Sequence, residues 1–288
     1  MPAEIWKGAP VAEALSEKLK LRVEALGRSG VVPCLALVRI GERPGDLSYE
    51  RSAARRCEAL GVAVEKHVLP ADVTQSELID VIEALNRKST VHGILFFRPL
   101  PEGMDERTVC DAIAPEKDVD GVCAHSMADV YMGAARGFFP CTAQAVIEML
   151  QYYDIPICGK RTVVVGRSLV TGRPAALLLL REHATVTVCH TRTKELASLT
   201  REAELVVTAT GHINTLTAEH LRPGQVVIDI GLTYDEARGK LCGDVDHDAA
   251  EEIVQAISAV PGGIGAVTST VLASHVIEAC ERQTEGEA

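Results

Sequence analysis

Short runs of β-branched and aliphatic residues alternate along the whole 288-residue chain with stretches whose apolar positions recur every three to four residues. The runs at 34–40, 62–69 and 93–97 read as strands, and the segments at 11–26, 47–60 and 75–86 as helices. Strands that alternate with helices in this way predict a parallel-sheet α/β architecture. After a turn-rich stretch at 133–140 the pattern starts again. A helix at 143–152 leads to strands at 162–165, 185–189, 205–209 and 226–230. A last helix at about 267–281 has no strand after it, so it is expected to pack back on the first domain. The polar tail 283–288 is expected to fray.

Composition adds constraints. With 47% hydrophobic and 24% charged residues, the chain is an ordinary globular one with enough length for two well-buried cores. A formal net charge of −11 argues against nucleic acid or an anionic membrane surface as partner, because the average field of the protein repels both. Any anionic ligand must then be held by a local cluster. The nine cysteines include no Cys-x-x-Cys pair, so no metal site is expected, and a reducing, cytoplasmic location is the simplest home. The start Met-Pro-Ala-Glu-Ile-Trp-Lys has no export signature, and the longest aliphatic run, 175–180, is too short to span a bilayer.

The clearest chemistry lies where the second series begins. Gly166-Arg167-Ser168 through Gly172-Arg173-Pro174 joins a buried strand to a helix, and glycines there let backbone approach a phosphate at the helix N-terminus. Read alone, such a turn is as readily a tight connection as a ligand site. The next strand ends in His190-Thr191-Arg192-Thr193, with no acid where an NAD-preferring fold holds the ribose hydroxyl. Arg167 and Arg192, with Ser168 and Thr191, suit a 2′-phosphate instead, although each arginine singly could be a solvated surface charge. Gly211 and Leu232 follow the later strands and complete the rim. These features predict a Rossmann-like NADP-binding domain over 139–265, with NAD as the alternative cofactor.

Further segments carry a resemblance. Gly41 to Cys57 contains Tyr49 and Ala53. His92-Gly-Ile-Leu-Phe-Phe97-Arg98-Pro-Leu-Pro101 is followed by Lys117-Asp-Val-Asp120-Gly, Pro140-Cys-Thr142 and Pro261-Gly262-Gly263-Ile-Gly265. This ordered set resembles the methylenetetrahydrofolate dehydrogenase/cyclohydrolase family, whose signature has a tyrosine four residues before a catalytic lysine and a Gly-Ile-Leu-Val-Gln-Leu-Pro-Leu-Pro segment. The resemblance implies a folate-binding catalytic domain over 1–138 plus the C-terminal helix, 266–288. It also implies a tetrahydrofolate derivative as substrate, NADP contacts at the Gly-Arg-Ser turn, and a homodimer. On this reading Tyr49 and Asp120 are the catalytic candidates. Tyr49, Phe97, Asp120, Pro261, Gly262 and Gly263 would line the folate, Asp120 accepting the paired donors of the pterin ring. Asp118 more simply caps its own turn.

The family's lysine and glutamine are Ala53 and Phe97 here, its N-terminal Gly-Lys is Gly8-Ala9, and a proline near the last helix is Ala266. Family members confined to dehydrogenation also lack the lysine and carry an aromatic residue at the glutamine position. Hydride transfer to a nicotinamide needs positioning, whereas hydrolysis of the methenyl bridge needs proton exchange that alanine and phenylalanine cannot provide. The expectation is an NADP-dependent methylenetetrahydrofolate dehydrogenase with little or no cyclohydrolase activity. The alternatives are a bifunctional enzyme and a non-catalytic folate- or nucleotide-binding paralogue.

Overall fold

The computed structural model describes residues 2–133 and 137–285, so the predicted turn at 133–140 and the polar tail lie partly outside the described residues. The first elements are Glu4–Trp6 (β1), Gly8–Arg28 (α1), Cys34–Ile40 (β2), Pro44–Ala59 (α2), Ala63–Leu69 (β3), Gln75–Arg87 (α3), Gly93–Phe96 (β4), Glu106–Asp111 (α4) and Ala124–Met132 (α5). Then come Cys141–Tyr152 (α6), Arg161–Val165 (β5), Gly172–Arg181 (α7), Thr185–Cys189 (β6), Leu196–Glu202 (α8) and Leu205–Thr208 (β7). The chain closes with Val226–Asp229 (β8), Thr233–Asp235 (β9), Lys240–Cys242 (β10), His247–Glu251 (α9), Ala256–Ser258 (β11) and Ile264–Glu285 (α10). Two compact units result, one of residues 14–141 with 269–288 and one of residues 1–13 with 142–268.

The first unit holds a three-stranded parallel sheet in the order β3-β2-β4. All seven residues of central β2 are buried, six of them apolar as expected of a strand covered on both faces, and the seventh, Arg39, pairs through Nε with Glu50 at 2.8 Å. Leu78, Ile82 and Leu85, spaced along one face of α3, pack with Ala36, Val38 and Ile94 of the sheet. A Thr74/Glu77 capping box starts α3. Its last turn is closed by Lys117, whose buried Nζ donates to the carbonyls of Leu85, Asn86 and Lys88 at 3.0, 2.8 and 2.8 Å. The C-terminal part of α10 belongs to this unit, where Arg22 of α1 donates through Nε to Glu281 at 3.0 Å and Arg282 lies 4.8 Å from the Phe138 ring centre.

The second unit is a six-stranded sheet in the order β1-β11-β8-β7-β5-β6, parallel at every pairing. The chain leaves β5 toward β6 on one side and returns to β7 on the other, which places a topological switch point at the C-terminal end of β5. Residues 1–13, expected in the first domain, group with the second unit in the fold, where β1 extends the sheet by pairing with β11, Trp6 opposite Ser258. Three residues are too few to show a period. What fixes the strand is the Trp6 ring, stacked on Tyr153 with centroids 4.5 Å apart.

Candidate active site

Gly166 and Gly172 set the turn after β5. Gly166 has φ +123°, and a Cβ there would lie 2.3 Å from the carbonyl oxygen of Ala209; a Cβ on Gly172 would lie 2.3 Å from the carbonyl oxygen of Gly166. Neither position admits a side chain, so backbone forms the floor of the turn. Ser168 Oγ accepts from the N–H groups of Thr171 and Gly172 at 3.2 and 3.4 Å, folding the loop onto the start of α7. Arg173 holds the other side, its Nε donating to the carbonyl of Arg167 at 3.0 Å.

The Gly166 N–H donates to the Cys189 carbonyl at 2.9 Å, which brings the turn beside the end of β6. There His190 N–H donates to Thr193 Oγ1 at 2.8 Å and Arg192 N–H to His190 Nδ1 at 3.1 Å, leaving Thr191 and Arg192 exposed. Arg167 is exposed as well, and among the described residues neither Arg167 nor Arg192 pairs with an acid. Gly211 and Leu232 follow β7 and β8, and Thr233 Oγ1 ties their loops by donating to the Gly211 carbonyl at 3.2 Å. All eight nucleotide candidates therefore lie along one edge of this sheet. A glycine-floored turn at a ten-residue helix, beside two unpaired guanidiniums and no acid, fits a phosphate-bearing dinucleotide.

Two residues beneath this edge escaped the sequence reading. Asp229 accepts from the backbone N–H groups of Gly231, Asp244 and Val245 at 2.9, 3.1 and 3.0 Å. Asp244 accepts from Thr208 Oγ1 at 3.0 Å. These buried carboxylates fasten the ends of β7 and β8 and so place the Gly211 and Leu232 loops. Little in the local sequence signals this, since apart from the Gly231 N–H the named partners are 15 or more residues away in the chain.

The folate candidates divide between the units. Pro261, Gly262 and Gly263 form a turn of the six-stranded unit, where Gly262 accepts from the Gly8 N–H at 2.8 Å. Tyr49, Phe97 and Asp120 come together in the three-stranded unit. The Tyr49 and Phe97 rings meet edge to face, centroids 5.8 Å apart and planes at 85°. Ala53 lies one helical turn beyond Tyr49 on α2 and is fully buried.

Asp120 is aimed by a pinned loop. Its neighbour Asp118 is fully buried and accepts from Val122 N, Cys123 N and Ser126 Oγ at 3.0, 2.9 and 2.6 Å, so it does cap the turn. The Val119 carbonyl accepts from His275 Nδ1 at 2.9 Å and from Cys141 Sγ at 3.3 Å. Burial pushes the Asp120 carboxyl up to about 6, against the pull of the Arg98 guanidinium and with a smaller push from Asp118. Burial, with Asp120 and Cys141 nearby, holds the Tyr49 phenol well above its ordinary value, so it stays protonated. Arg98 was not singled out from the sequence. Its Nη2 lies 3.6 Å from Asp120 Oδ2, and its signal was a charged residue inside a run of apolar ones.

Among the described residues no helix is long and apolar enough to cross a membrane, and no group of three or more His, Cys, Asp or Glu side chains is placed to hold a metal ion. The fold is a two-unit α/β one whose six-stranded unit has the glycine turn and the switch point of a dinucleotide-binding domain. Residues 6–120 match the catalytic domain of tetrahydrofolate dehydrogenase/cyclohydrolase and residues 140–284 match its NAD(P)-binding domain. The bifunctional protein FolD of Carboxydothermus hydrogenoformans is 48% identical over 280 residues, 97% of this chain and 98% of its own. The Campylobacter jejuni bifunctional FolD structure superposes with a TM-score of 0.93 at 35% identity, covering 96% of this chain and 98% of its own. The Trypanosoma brucei FolD structure, complexed with NADP and inhibitor, has a TM-score of 0.93 at 34% identity and covers 99% of each chain. The chain belongs to the tetrahydrofolate dehydrogenase/cyclohydrolase family.

Proposed function

We propose that this protein oxidises 5,10-methylenetetrahydrofolate to 5,10-methenyltetrahydrofolate with NADP, and that it hydrolyses the methenyl product little or not at all. The observation that carries the reading is the make-up of the Tyr49 cluster, which keeps a pterin-binding carboxylate at Asp120 and replaces the proton-handling pair with buried Ala53 and Phe97. Bound NADP would supply the hydride acceptor, held by the Gly166–Gly172 turn with Arg167 and Arg192 on its 2′-phosphate. Asp120 would accept the exocyclic amino and ring N–H donors of the pterin, and the Tyr49 and Phe97 rings would give it apolar contact. Loss of hydride leaves a delocalised cation and moves no proton through a side chain, so positioning suffices for this step.

Hydrolysis requires a water to lose a proton, and the neighbouring groups are otherwise engaged. Lys117 caps α3, and Arg56 donates to Ser16 Oγ at 3.4 Å. The Tyr49 phenol stays protonated and so cannot take a proton from an attacking water as a base would. A second reading, in which the enzyme is bifunctional as the named relatives are, draws on one observation: burial raises the Asp120 carboxyl to about 6, which makes it a better base than an ordinary carboxylate.

The test supplies methylenetetrahydrofolate with NADP or NAD and follows reduced cofactor and methenyl product separately. Equal accumulation of the two supports dehydrogenation without hydrolysis. Enzyme-dependent decay of added methenyltetrahydrofolate, at a rate comparable with hydride transfer, overturns the dehydrogenase-only reading in favour of the second. The family resemblance also implies a homodimer, which sedimentation of the pure protein checks.

A further inference from the structure

Arg98 stands where the family segment has leucine, directly after Phe97 and within the folate cluster. A guanidinium with only 17% of its side chain exposed is costly unless its donors are used. They are used loosely. Nη1 reaches Glu106 Oε1 at 3.4 Å and Nη2 reaches Asp120 Oδ2 at 3.6 Å, both longer than the roughly 2.7–2.9 Å of a well-made charge-assisted pair. Among the described residues its guanidinium also lies 6.0 Å from the Phe96 ring centroid. A fork of donors is thus held beside the carboxylate without being consumed by it.

The recognition edge of a 4-oxo pterin presents an amino donor, a ring N–H donor and then a carbonyl oxygen. A carboxylate can take the two donors but repels the oxygen. Alanine and phenylalanine, at 53 and 97, offer that oxygen nothing. We propose that Arg98 donates to the 4-oxo oxygen while Asp120 accepts from the two donors beside it, so that the side-by-side pair reads the whole pterin edge and selects 4-oxo over 4-amino pteridines. The inference rests on the folate reading above and adds a specificity-determining residue to it.

The full-length protein, its Arg98→Leu variant and its Arg98→Lys variant can be titrated with tetrahydrofolate and with the analogue bearing a 4-amino group in place of the oxygen. Wild type should prefer the 4-oxo compound, and Arg98→Leu should lose roughly ten- to a hundredfold of that preference, the worth of a charge-assisted hydrogen bond. Arg98→Lys should keep part of it, since it retains a donor. KM for methylenetetrahydrofolate should rise in Arg98→Leu with a smaller change in kcat, and NADP affinity should stay constant. An unchanged 4-oxo preference in Arg98→Leu, or no recovery in Arg98→Lys, would reduce Arg98 to a counterion of Asp120 and overturn the proposal. Failure of wild type to bind any folate while it binds NADP would instead remove the reading on which it rests.

Discussion

The nucleotide edge and the folate cluster are built from different materials. At the first, the floor is backbone, and carbonyl oxygens leave no room for a Cβ at Gly166 or Gly172. At the second, side chains form the surface, and the backbone serves mainly to aim Asp120. A backbone site cannot change composition without losing shape. A side-chain site can lose a reactive group and keep its outline, and buried Ala53 and Phe97 fill this one without offering a group that exchanges protons. The two regions should therefore fail differently when altered.

The largest effect should come from breaking the backbone site. In Gly166→Ala the new Cβ meets the Ala209 carbonyl at 2.3 Å at a φ of +123° that alanine disfavours. Strain and overpacking together should cost roughly 2–6 kcal/mol, seen as a lower urea midpoint, with NADP binding lost as well. Arg167→Ala on the same turn should leave the midpoint unchanged. If Gly166→Ala is as stable as wild type and binds NADP, the turn is more pliant than its contacts indicate.

The side-chain site should lose chemistry while keeping stability. Asp120→Asn retains shape but replaces one accepting oxygen with a donor, which should cost about 2–4 kcal/mol in kcat/KM for the folate with NADP affinity unchanged. Equal kcat/KM in wild type and variant would leave Asp120 only a structural part. Smaller again is the effect at the cofactor's ribose. Arg192→Ala or Arg167→Ala should each weaken NADP by about 1.5–3 kcal/mol and leave NAD nearly unaffected. An unaltered NADP/NAD ratio in both would return these arginines to solvated surface charges.

The same contrast explains what was legible in the sequence. Central strands such as β2, β7 and β8 are predominantly apolar, each with a single polar residue at or near its C-terminal end, and their boundaries come through to within a residue or two. The Gly166 turn announces itself because only glycine satisfies it. β1 and β11 are three residues each and carry no period, so the edge that residues 1–13 add to the second sheet was not visible. Asp229, Asp244 and Lys117 work largely through partners 15 or more residues away, as with Asp244 N to Asp229, Thr208 Oγ1 to Asp244 and Lys117 Nζ to Leu85, which no local pattern encodes. Arg98 was in plain view as a charge in an apolar segment, yet its meaning depends on Asp120, 22 positions on, being its neighbour.

The smallest effect expected is a pH dependence, and its sign separates function from stability at one residue. Burial raises the Asp120 carboxyl from 3.8 to about 6, so the folded protein binds a proton there that the unfolded chain has already lost. Stability should therefore fall as pH rises between about 4 and 6, and this contribution should be level above 6. Folate recognition runs the other way, because only the carboxylate accepts two donors. kcat/KM for methylenetetrahydrofolate should rise through about pH 6 to a plateau, dropping tenfold, about 1.4 kcal/mol, for each unit below the midpoint. Asp120→Asn should abolish both slopes together, leaving low activity and no Asp120 contribution to the pH dependence of the urea midpoint. A wild-type kcat/KM that stays flat from pH 5 to 8 would mean that Asp120 is ionised throughout, or that its charge plays no part in holding the pterin.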